Sequence, residues 1–222
     1  MRSIAKVISL IKIEWALDIK KPAILSSSVL QMAVMSLLSM LSTATQTGNL
    51  ARTWNSLFWI TLIFCTLQAI SKNFLTVSKN RWIYWNQVAA PSHILWSKII
   101  YGWLTMIFLT FVNFFFFGWF MGMPVIHFWA YFKILILVTG GISTVFTFIG
   151  AIASKANHAG FLAPVLSLRV ILPLILLGIK ASNKAFNPIL VSSVNKDIYM
   201  LTALNMLVLV LSGILFSSLW KD

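Results

Sequence analysis

Between Lys21 and Lys180 the chain is a succession of long apolar stretches, and its Lys and Arg residues fall almost entirely in the gaps between them. A hydrocarbon layer about 30 Å thick takes roughly 20 apolar residues to cross as a helix. No water is available there, so the backbone must satisfy its own polar groups. Six candidate spans follow: 24–44, 54–71, 99–122, 131–153, 160–179 and 198–219. They occupy most of the 222 residues and leave no room for a separate soluble domain, so 1–222 reads as one transmembrane domain, an all-α integral membrane protein. Only 9% of the residues are charged, against about 25% in an ordinary soluble domain. Residues 1–21 are too charged for the apolar stretch of a cleavable signal peptide.

The net charge of +13 raises nucleic acid as a partner, but its distribution fits a bilayer better. With the N-terminus in the cytoplasm, the inner segments hold Arg2, Lys6, Lys12, Lys20, Lys21, Lys72, Lys79, Arg81, Lys98, Lys155 and Lys221. The outer segments hold Arg52, Lys133, Lys180, Lys184 and Lys196. Eleven against five follows the positive-inside rule, and six spans return the C-terminus to the cytoplasm. The expected partner is lipid, not nucleic acid.

Ahead of the first span, Ile4, Val7, Ile8, Ile11, Trp15 and Ile19 recur at helical spacing, with Arg2, Lys6, Ser9, Lys12 and Asp18 largely elsewhere around the helix. Residues 2–19 therefore read as an amphipathic helix lying in the cytoplasmic interface. Trp54 and Trp59 open the second span, where indoles settle at the outer interface. Phe114 to Phe117 read as lipid-facing bulk, and Gly140-Gly141 as a close-packing contact. Pro164 and Pro173 each remove a backbone donor. They predict a fifth span broken twice, as helices near a pathway often are. Between the prolines stands Arg169, whose charge near mid-span costs about 2.5–3.5 kcal/mol on insertion scales. It reads either as a snorkelling or backbone-satisfied arginine or as a pathway residue meeting an anionic group. The loop 72–98 gathers Lys79, Arg81, Trp82, Tyr84 and Trp85. Such a set anchors in headgroups or docks a partner subunit.

The acidic inventory is Glu14, Asp18, Asp197 and Asp222, none within a span. This argues against a proton- or sodium-coupled carrier, which needs a buried ionisable group, and against paired-carboxylate catalysis. His93, His127 and His158 fall on different sides in this topology and make no common metal site. Cys65 is alone and pairs with nothing. No phosphate-binding loop of the G-x-x-x-x-G-K-[ST] type occurs, so any ATP chemistry belongs to another chain.

This architecture looks like a small permease subunit of an ABC exporter, with an ABC-2-like arrangement. Four stretches resemble something narrower, the haem exporter protein B family of cytochrome c maturation. They are Asn55-Ser56-Leu57-Phe58-Trp59-Ile60 leading to Ala69-Ile70-Ser71-Lys72-Asn73-Phe74; Ala90-Pro91 with Leu95-Trp96-Ser97-Lys98-Ile99-Ile100-Tyr101; Thr147-Phe148-Ile149-Gly150-Ala151-Ile152-Ala153-Ser154-Lys155-Ala156-Asn157; and Val170-Ile171-Leu172-Pro173-Leu174. The resemblance implies a subunit of the bacterial inner membrane that hydrolyses nothing itself. It implies a separate ABC ATPase chain that binds ATP, a haem-handling membrane subunit and a periplasmic haem chaperone. Haem would be cargo, not a firmly bound cofactor. The 72–98 loop would carry the coupling helix, with Lys79, Arg81, Trp82, Tyr84 and Trp85 as its contacts. His127, beside Phe128 and Trp129, is the candidate haem contact on the outer face. Two other classes compete: an ABC exporter permease for a lipid, drug or peptide, and an integral membrane enzyme.

Overall fold

A computed structural model describes residues 2–20, 23–44, 50–75, 91–153, 159–187 and 193–219. Among these residues the regular structure is helical throughout: α1 (Arg2–Lys20), α2 (Ala23–Thr43), α3 (Leu50–Leu75), α4 (Pro91–Met121), α5 (Phe128–Ala153), α6 (Ala159–Lys184) and α7 (Val194–Leu219). Helix α3 runs to Leu75 and α4 starts at Pro91, so both ends of the expected 72–98 loop are helical. Lys79, Arg81, Trp82, Tyr84 and Trp85 lie outside the described residues.

Among the described residues five helices are long and apolar enough to cross a membrane, over Leu25–Thr43, His93–Met121, Phe128–Ala153, Val165–Lys184 and Val194–Ile214. Helix α3, expected as the second span, is not among them. It has 26 residues, and Arg52 and Asn55 make its first turns polar. Helices α2 to α7 alternate in direction. One end of the bundle, called upper here, gathers the starts of α3, α5 and α7 with the ends of α4 and α6. At the opposite, lower end α1 lies against α4, where Leu10 is buried and Lys98 Nζ sits 3.2 Å from Glu14 Oε1. Ile8, Ile13 and Trp15 of α1 stay exposed.

Helix α5 is the centre of the bundle, with 78% of its spanning window buried against 17% in α7. Its sequence explains the position. Gly140, Gly141, Ser143, Thr144 and Thr147 keep its surface low, and small residues let helix backbones approach closely in lipid. A Cβ on Gly141 would strike Asn205 of α7 and Leu174 of α6. A Cβ on Gly178 of α6 would come within 2.8 Å of Val138, and one on Gly102 of α4 within 2.7 Å of Ser143 Oγ. Close approach brings side chains to neighbouring backbones. Ser143 Oγ donates to the Ile99 carbonyl at 3.0 Å, Asn205 Nδ2 to that of Leu137 at 2.8 Å, and Trp103 Nε1 to that of Ile136 at 3.2 Å.

Three sequence expectations are corrected. Trp54 and Trp59 do not sit in an interfacial belt; both are buried, at 1% and 0% exposure. They face the bundle because α3 packs against α4 and α6 on that side. The four phenylalanines are not uniformly lipid-facing. Phe114 and Phe117 are three residues apart, share a face and are buried, while Phe115 is exposed. Helix α6 is not broken at its prolines but runs unbroken from Ala159 to Lys184. Pro164 lies in the second turn, and the carbonyl that Pro173 leaves without its usual donor is that of Arg169, four residues back.

The packing at Gly141 predicts that Gly141→Ala lowers stability by about 1–3 kcal/mol through overpacking. Nothing lies within 4 Å of a Cβ on Gly213, so Gly213→Ala should leave stability unchanged or raise it. Thermal unfolding of the detergent-solubilised protein, followed by tryptophan fluorescence, distinguishes the two.

Candidate functional site

The densest polar cluster is at the upper end, where α3, α5 and α6 meet. Asn55, Ser182 and Tyr131 are each 0% exposed. Asn55 Nδ2 donates to Ser182 Oγ and to Asn183 Oδ1, both at 2.9 Å, and its Oδ1 accepts from the Tyr131 hydroxyl at 3.3 Å. Trp59 Nε1 also donates to Ser182 Oγ at 2.9 Å. Ser182 Oγ in turn donates to the Ile179 carbonyl at 3.1 Å. A hydroxyl has one donor and two acceptor positions, so this one is saturated. Around it Trp54 stacks on Phe58 at 5.4 Å between centroids and meets Phe117 edge-on at 5.7 Å and Phe186 at 5.9 Å. The aromatic wall keeps water out, which makes each of these hydrogen bonds costly to lose.

An ion pair and a backbone bond extend the cluster. Lys184 Nζ, in the last turn of α6, lies 2.6 Å from Asp197 Oδ2, in the first turn of α7. Each charge complements the dipole of its helix end, and Asp197 is 5% exposed. The His127 amide donates to the Ala185 carbonyl at 3.2 Å, which joins the start of α5 to the end of α6.

Beside this bond opens a cleft of about 450 Å³ lined by Ile126, His127, Phe128, Trp129, Ala130, Lys133, Val194, Asn195 and Ile198. It places the candidate haem contact His127 next to Lys133, a pairing that sequence spacing did not show. The imidazole Nε2 is buried and has no hydrogen-bond partner. Because this nitrogen is closed off from solvent, coordination through it requires the ring to turn.

Arg169 lies elsewhere. It is on the exposed side of α6 with Val165, Leu166, Leu172 and Leu176. At a rise of about 1.5 Å per residue it is about 24 Å along the helix from Ala185, so it and His127 form no common site. Among the described residues no carboxylate or hydrogen-bond acceptor meets its guanidinium. Pro173 is exposed on the same helix, and Pro164 is five residues nearer the lower end.

The upper cluster was not singled out from sequence. Its available signal was polar Asn55, Ser182 and Asn183 at the margins of apolar stretches, where polar side chains bond across helices. Ser182→Ala should cost about 1–3 kcal/mol, because it leaves buried donors on Asn55 and Trp59 without an acceptor. A Trp59→Phe, Ser182→Ala pair removes one of those orphans as well. The pair should therefore be less damaging than the sum of its single changes, as read from thermal unfolding.

A protein-family model described as CcmB protein matches residues 5–218. No curated protein and no solved structure matches the chain. The family match covers nearly the whole sequence, including the helices that build the cluster, the cleft and the Arg169 face. The chain therefore belongs to the CcmB protein family, multi-pass membrane components of haem export and cytochrome c maturation.

Proposed function

We propose that this chain is the permease subunit of an ABC transporter complex in the bacterial inner membrane, supporting ATP-driven haem delivery or release of a haem-loaded chaperone for c-type cytochrome biogenesis. The family match over 5–218 carries this reading. In it α3 also crosses, as the second of six spans, within the shelter of α2, α4 and α6, and the architecture is ABC-2-like. The upper end faces the periplasm, both termini are cytoplasmic, and α1 lies in the inner interface with Trp15 among the headgroups. ATP is bound and hydrolysed by a separate ATPase chain, and a haem-handling membrane subunit and a periplasmic haem chaperone complete the assembly.

The segment joining α3 to α4 is the coupling element. Lys79, Arg81, Trp82, Tyr84 and Trp85 receive the ATPase, since aromatics and Arg are favoured interface anchors. At the other end His127 is the candidate haem contact, reached after the ring turns. Arg169, with Pro164 and Pro173 on the same helix, is the pathway residue. Its support is an exposed guanidinium midway along an apolar helix face, which calls for an anion such as a carboxylate.

The test is a peroxidase stain for covalent haem on membranes of a strain lacking this gene, with the gene restored as control. Loss and recovery of the c-type bands is the expected outcome. Bands that persist at full intensity would instead assign the permease to another cargo, such as a lipid, drug or peptide. Trp82→Ala combined with Trp85→Ala should reduce co-purification of the ATPase while the protein still inserts; unchanged association would mean the rings anchor the loop in lipid. Arg169→Leu should reduce covalent haem at normal abundance, whereas full activity would remove Arg169 from the pathway.

A further inference from the structure

The upper-end cleft holds more than the His127 that the cargo reading uses. Its apolar walls, Ile126, Phe128, Val194 and Ile198, open beside Lys133, Trp129 and Asn195. No carboxylate lines it. Among the described upper-end residues the carboxylate is Asp197, and Lys184 already occupies it at 2.6 Å. Lys133 is exposed and has no ion-pair partner among the described residues.

Depth identifies the level at which the cleft works. Lys133 lies five residues into α5, about 7.5 Å below its start. A helical Cα–Cβ bond tilts toward the N-terminus, which for α5 is the upper end. A lysine stem with this tilt can lie along the apolar wall and bring its ammonium to the mouth. Trp129 is 84% exposed at the same mouth, and an exposed indole at a membrane boundary settles at headgroup level. A ligand suited to this arrangement has an apolar body at bilayer depth and an anion at the boundary.

We propose that the cleft between the starts of α5 and α7 binds an anionic phospholipid, with Lys133 and Asn195 holding the headgroup phosphate and Ile126, Phe128 and Ile198 holding the upper acyl chain. The lipid makes no use of the His127 imidazole, whose Nε2 is closed off from solvent. The assignment therefore does not depend on what cargo the protein serves. It gives the exposed Lys133 its counter-charge and covers apolar wall between two helix starts.

The test uses the full-length protein reconstituted in nanodiscs of equal parts phosphatidylglycerol and phosphatidylcholine, then released for native mass spectrometry of retained lipid. The wild type should retain phosphatidylglycerol preferentially. Lys133→Gln should weaken that retention about fivefold, the loss carried by one lysine near a charged surface. Lys133→Arg should restore it, and Lys180→Gln, an exposed upper-end change outside the cleft, should leave it unaltered. Thermal unfolding of each variant confirms an intact fold, and Lys133 is exposed enough for Gln to be tolerated there. Equal retention of the two lipids, or retention unchanged by Lys133→Gln, would overturn the proposal. Phosphatidylglycerol stripped by added inorganic phosphate would overturn it too, because the cleft would then be a free-anion site.

Discussion

Close approach of helices along α5 is the contact on which the rest of the bundle rests. In lipid, apolar side chains gain little by leaving one hydrocarbon surface for another, so association depends on packing and on polar groups that bond across the gap. Gly141 admits Asn205 and Leu174, and Gly102 admits Ser143. Once those backbones are near, short polar side chains can reach the neighbouring carbonyls, as Ser143 does to Ile99 and Asn205 to Leu137. Fit and hydrogen bonding are thus consequences of the same small residues.

The two ends of the bundle are built differently. At the upper end a saturated Ser182 hydroxyl, the Asn55 amide, a wall of rings and the Lys184–Asp197 pair tie α3, α5, α6 and α7 together. At the lower end Lys98 of α4 pairs with Glu14 of α1, both groups still partly open to solvent. Ion pairs of that kind hold weakly.

Much of this was legible in sequence, but unevenly. Apolar length marked five of the six expected spans, because the hydrocarbon thickness sets one requirement for every helix. The amphipathic period of residues 2–19 marked α1. The family was readable from short stretches in order, among them Asn55-Ser56-Leu57-Phe58-Trp59 and Val170-Ile171-Leu172-Pro173. Trp54 and Trp59 misled because an indole suits both an interface and a core, and its address depends on which helices flank it. Pro173 misled because a proline on an exposed helix face forfeits one backbone bond without ending the helix. His127 stood out alone, and nothing in its local spacing placed Lys133 and Asn195 across the same cleft.

What the sequence determined by itself is the solvent, the helical class, the family and the uneven spread of its cations. Those follow from sums and runs of residues: hydropathy over about 20 positions, and cations counted by segment. Only the tertiary structure decided that α5 lies at the centre, that Ser182 gathers donors from Asn55 and Trp59, and that a cleft forms between the starts of α5 and α7. Each of these joins residues tens to more than a hundred positions apart. Ser182 and Asn55 meet because two antiparallel helices bring their ends together, and which helices become neighbours depends on side-chain shape at every crossing.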